Sequence, residues 1–152
     1  MSDSPETLPC SVDRELLANS FAGLAKHVLY TERQIQEIRR EIQDMKREMK
    51  AGFDRIDSRL DNMNTRLHNA EAREKNEDAF KSRGDYVPLL KADGTAIANF
   101  PTNWEAVQDL DDQTIDALLT DLDVDFKGLD LYNKMHRFLR EIGVKSIPTA
   151  IM

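Results

Sequence analysis

The chain reads as all-α, a long N-terminal coiled coil followed by a small three-helix C-terminal module. Three observations predict this class. No proline occurs between Ser11 and Asn76, apolar residues there recur at spacings of three and four, and beyond Tyr86 short amphipathic stretches are separated by Gly, Pro and Asp. In composition, 40% hydrophobic and 32% charged residues with six Gly and five Pro among 152 suit solvated helices better than a compact all-β domain.

Residues 1–10, with Pro5 and Pro9, read as a disordered leader, and Ser11 is placed to cap a helix whose first turn carries Asp13 and Glu15. The coiled coil spans 11–76, about 95–100 Å at 1.5 Å per residue. A helix of that length has no core of its own and needs other helices to cover its apolar stripe. Leu17, Phe21, Leu24, Val28, Thr31, Ile35, Ile38, Ile42, Met45 and Met49 alternate d and a positions of a heptad. The later apolar residues Ile56, Leu60, Met63 and Leu67, with Ala70, fit only if Phe53 starts a new register. The step from Met49 to Phe53 is therefore a stutter near 49–53, which locally unwinds a supercoil, beside the weak helix former Gly52. The expected oligomer interface is Leu17, Phe21, Leu24, Val28, Ile35, Ile38, Ile42, Met45, Met49, Phe53, Ile56, Leu60, Met63 and Leu67, joining two to four chains of this protein. Isoleucine at both a and d shifts preference from dimers toward trimers and tetramers. Orientation stays open. Parallel pairing sets Glu41 against Lys46 and Arg66 against Glu71, whereas an antiparallel pairing sets Glu41 near Arg66 and Glu48 near Arg59.

Residues 77–85 read as a connector closed by Gly84. Arg83-Gly84-Asp85 matches an integrin ligand, but nothing resembling a secretory signal precedes it, so Gly84 reads as a helix stop. The module spans 86–147. Asp93-Gly94 is a favoured tight-turn pair, so 87–100 is a hairpin or, given Pro88, an extended loop. Thr102 with Glu105 forms a capping box for a helix carrying Trp104 and Val107. Asp111 or Asp112 caps a second helix with Ile115, Leu118, Leu119 and Leu122 inward. A third runs from about Phe126 or Gly128 to Ile142, with Leu129, Tyr132, Met135, Phe138, Leu139 and Ile142 near one face, and Gly143 closes it. So small a unit is marginal alone, and the coil end near Leu67 and Ala70 is the expected support. Residues 148–152 read as a loose tail.

Chemistry has little to stand on. Asp121, Asp123 and Asp125 resemble the start of a calcium loop, yet Phe126 and Tyr132 occupy the positions that need glycine and a bidentate glutamate; they read as aspartates that cap and connect helices. His27, His68 and His136 lie far apart, outside any HxxxH or HExxH pattern. Cys10 is the single cysteine, so no disulfide or thiolate zinc site forms within one chain. Phosphate-cradling glycine loops and nucleophile elbows are missing from the sequence. No catalytic, metal or cofactor residues are assigned, and the expectation is a protein that is not an enzyme.

Charge is uneven. The net charge is −7; Thr31–Ala70 carries nine basic against eight acidic residues, and Tyr86 to the end carries six against eleven. An acidic module disfavours nucleic acid and anionic membranes. The competing reading is a nucleic-acid- or membrane-associated factor using residues 33–50, where Arg39-Arg40 and Lys46-Arg47 form a basic patch. Glu41, Asp44 and Glu48 interleave with it, as on a solvated coil face. A protein partner at the C-terminal module, around Trp104, Phe126 and Phe138, and an intracellular location, cytoplasm or nucleus, complete the expectation.

Arg66-Leu67-His68-Asn69-Ala70 at the end of the coil, Gly94, Phe100-Pro101-Thr102, the Leu118-Leu119 pair and Phe138-Leu139-Arg140-Glu141-Ile142-Gly143 follow one another in an order that resembles fungal coiled-coil proteins. Their C-terminal domain is like that of a meiotically up-regulated fission-yeast gene product. The resemblance covers about residues 60–143. It implies a fungal intracellular protein without established enzymatic activity and carries no functional residues over.

Overall fold

The computed structural model describes residues 10–147, with side chains from Asp13 onward. The expectations for the leader, the Ser11 cap, the Cys10 thiol and the tail at 148–152 lie outside the described residues. In chain order the elements are α1 (Cys10–Ser82), α2 (Trp104–Gln108), α3 (Asp112–Asp121) and α4 (Leu131–Glu141). The chain is mostly helical, and among the described residues there is no strand, only one isolated antiparallel bridge between Leu90 and Ala96. It divides into two units, 1–54 and 55–152.

In the first unit the described residues are helix alone. Leu, Ala, Arg, Lys, Gln and Glu dominate its sequence, all good helix formers. The polar residues that would compete with the backbone bond within it instead: Ser20 Oγ donates to the Leu16 carbonyl at 2.8 Å and Thr31 Oγ1 to that of His27 at 2.9 Å. This bond lets Thr31 sit in an apolar stripe with its hydroxyl satisfied. None of the described side chains from Asp13 to Asp54 is buried, so nothing within the unit covers the helix.

The second unit has a core. Helix α1 enters it through Ala72, with Ala79 and Phe80 partly buried; Tyr86, Leu89 and Ile97 come from the loop, Val107 from α2, Ile115, Leu118 and Leu119 from α3, and Phe138, Leu139, Ile142 and Val144 from α4 and its end. The α3 residues are spaced one helical turn apart, so one face packs on α4. Phe80 meets Trp104 edge-on at 5.5 Å, and Phe100 meets Phe138 at 5.7 Å.

Several boundaries differ from the sequence reading. Residues 77–82, read as connector, are helical because this last stretch of α1 is part of the core. The left-handed stop residue is Arg83, at φ 57°, while Gly84 donates its N–H back to the Ala79 carbonyl at 2.8 Å. Asn103, not Thr102, caps α2: its Oδ1 accepts from the Ala106 N–H. Asp111 caps α3 through Thr114, as one of the two expected candidates. Helix α4 begins at Leu131, capped by Asp130, because Gly128 at φ 76° and a turn from Phe126 to Leu129 precede it. At Asp93-Gly94 the turn forms, with Gly94 at φ 82° and its N–H on the Lys91 carbonyl, but pairing stops at the single bridge.

Gly143 is required. At φ 110° it brings the chain so close to α1 that a Cβ would lie 2.2 Å from the Arg73 carbonyl oxygen.

Candidate functional site

The side chains that could do something in this protein lie along α1, which presents two different faces. One is the apolar stripe. In the first unit its members Leu17, Phe21, Leu24, Val28, Ile35, Ile38, Ile42, Met45, Met49 and Phe53 are all exposed, and in the second so are Ile56, Leu60, Met63 and Leu67. Each keeps between 45% and 66% of its surface in solvent. Single exposed apolar residues are ordinary, whereas a row of them at helical spacing within each unit is a contiguous exposed apolar patch.

The other face, within the second unit, holds the C-terminal elements. At about 100° per residue, Ala72 lies about 140° and Asn76 about 180° around the helix from Leu67. The expected support at Leu67 and Ala70 is thus corrected: both are exposed, and docking uses the opposite side of α1. Two asparagines explain the choice. Asn76, fully buried, accepts from the Val87 N–H at 2.6 Å and donates to the Val87 and Ile142 carbonyls, each at 3.0 Å. Asn69 repeats the fork on Leu90, accepting at 2.7 Å and donating at 2.8 Å. Seven residues of helix rise about 10.5 Å and three residues of extended chain span about 10 Å. The Asn69–Asn76 interval therefore matches Leu90–Val87 run in the opposite direction. Helix side chains here replace the strand that would otherwise satisfy the extended segment. His68 adds a contact from Nε2 to the Pro88 carbonyl at 2.9 Å.

Charged groups secure the rest. Arg73 donates from Nε to the Glu141 carbonyl at 2.8 Å and reaches its carboxylate at 3.3 Å, binding α1 to the negative C-terminal end of α4. Glu77 accepts from the Ser146 hydroxyl and the Lys145 N–H and pairs with Lys81 at 3.0 Å; the Ser146 bond first, then the Lys145 bond, hold its pKa down to about 2. Lys134 lies buried on α4 between Asp112 at 2.8 Å and Asp116 at 2.7 Å of α3, beneath the Phe126 ring, and these carboxylates raise its pKa.

Of the aromatic residues expected to present a surface, Phe138 is fully buried, since its face of α4 forms the centre of the core; Trp104 and Phe126 are half-buried. Trp104, Val107, Tyr132, Met135, His136 and Ile147 line a shallow apolar groove of about 390 Å³. Asp121, Asp123 and Asp125 are apportioned to structure: Asp121 pairs with Lys91 at 2.9 Å, Asp123 takes φ 57° and Asp125 accepts from the Lys127 N–H. Among the described residues no cluster of three His, Cys, Asp or Glu could hold a metal, and no helix is long and apolar enough to cross a membrane.

No protein-family model, curated protein or solved structure matches this chain.

Proposed function

We propose that this protein is a non-enzymatic structural or adaptor protein. It self-associates through a coiled coil formed by α1, in an assembly of two to four chains, and displays an acidic C-terminal helical module to a protein partner. The observation that carries this reading is the two-sided use of α1. In the second unit the C-terminal elements occupy one face of the helix and Ile56, Leu60, Met63 and Leu67 on the other stay exposed; in the first unit the stripe residues from Leu17 to Phe53 are likewise exposed. Docking the module consequently leaves the seam free. An intracellular setting, cytoplasmic or nuclear, and kinship with the fungal coiled-coil proteins belong to the same proposal.

The test is a pair of substitutions read by light scattering. Ile42→Asp places a carboxylate in the seam of every chain. Covering the exposed part of Ile42 is worth about 1 kcal/mol per chain, and an unpaired buried charge adds several kcal/mol. Together these weaken association by roughly a thousandfold or more. Arg40→Ala, on the solvent side, leaves the mass unchanged. Retention of the wild-type mass and thermal midpoint by Ile42→Asp would sink the register given above.

A further inference from the structure

Resting on that reading, we propose that the partner covering the seam is a second copy lying parallel and in register, so that the C-terminal modules of all chains stand together at one end of the assembly. Three observations converge on this arrangement.

The first is charge. In a parallel pair each g residue faces the e residue five positions on in the other copy. Glu41 then meets Lys46 and Arg66 meets Glu71, while Gln34–Arg39 and Arg59–Asn64 each hold a single charge, and no like charges meet. An antiparallel pair with fully overlapping seams is centred near Ile42, and it sets Glu41 against Glu41 or Glu48 of the other copy.

The stutter is the second. Local unwinding between Met49 and Phe53 has to be shared by the helices that wrap each other. Parallel alignment superposes the two stutters without any shift. The fully overlapped antiparallel pair places each against regular heptads.

Stripe length is the third. An antiparallel pair can be shifted until the stutters coincide, and a further shift of about five residues brings Glu41 to Arg66 and Glu48 to Arg59. In either, Leu17, Phe21, Leu24 and Val28 of each copy lie opposite positions beyond Ala70 of the other, where the apolar stripe has ended. Four apolar stripe residues of each copy would lose their apolar cover. Exposed ion pairs select among arrangements and seldom drive them, so this loss of apolar cover is the larger penalty.

Only parallel alignment satisfies all three. It also fits the back-face docking of the C-terminal elements, since Ile56–Leu67 can pair while Ala72 and Asn76 face away from the seam. The consequence is multivalency: modules gathered at one end engage a repeated partner with avidity that a single module lacks.

Cysteine cross-linking decides it. In a Cys10→Ser background, Leu17→Cys and Leu67→Cys are made separately and oxidised in a glutathione buffer, with Arg40→Cys as the solvent-face control. A disulfide needs Cα atoms within about 7 Å, whereas full antiparallel overlap separates the two copies of residue 17 by about 75 Å. The expected result is a covalent dimer from either seam variant alone, forming roughly tenfold faster than with the control. Light scattering on the same samples separates the two possible failures. A multimeric mass without cross-linking at either seam position overturns the parallel arrangement alone; a monomeric mass overturns the seam reading with it.

Discussion

Asn76→Ala is the most informative single change in the second unit. The side chain is fully buried and makes three hydrogen bonds, one to the Val87 N–H and two to the Val87 and Ile142 carbonyls. Truncation leaves one donor and two acceptors without that partner. An unmet buried group costs about 1–3 kcal/mol; Val87 is only half-buried, so water recovers part of this, and a net loss of about 3 kcal/mol is expected. Asn69→Ala removes two bonds at a more open position and should cost about 1 kcal/mol. Trp104, the single tryptophan, packs on Phe80 of α1, so its fluorescence during urea unfolding reports whether the C-terminal elements remain on the helix. A loss below about 1 kcal/mol for Asn76→Ala, or an equal loss for both variants, would refute the asparagine clip as the device that positions the extended segment.

Other consequences follow from the same unit. Glu77 has a folded pKa of about 2 against an ordinary 4.5, so its contribution is complete above about pH 4.5 and is lost as pH falls toward 2. Glu77→Gln should flatten the acid limb of a stability–pH curve, measured by the same fluorescence, and an unaltered limb would count against this role. Gly143→Ala forces a methyl group to within 2.2 Å of the Arg73 carbonyl oxygen at a positive φ and should destabilise by about 3 kcal/mol or more. Gly52→Ala meets no atom within 4 Å and should raise the thermal midpoint, adding about 0.5–1 kcal/mol.

What could be read from the sequence was whatever depends on local pattern. The stripe from Leu17 to Leu67 announces a long helix because apolar spacing and lack of proline act residue by residue. Ile115, Leu118 and Leu119 point inward for the same reason. What could not be read depends on partners far along the chain. Asn69 and Asn76 look like polar surface positions until Val87–Leu90 lies beside them, although their spacing of seven on the side away from the seam is a signal that could have been found. Lys134 looks like a solvated lysine, and only the approach of Asp112 and Asp116 makes its burial tolerable. The end of α1 was misplaced because Ala79 and Phe80 are held in helix by the core, with Arg83 taking the left-handed turn that Gly84 was expected to take.

Self-association through the exposed seam is the centre of this account, and the solution mass of the intact protein tests it most directly. Light scattering across a dilution series at micromolar concentration should give two to four times the 17.4 kDa of one chain. A mass of one chain at every concentration, with helicity retained, would contradict it.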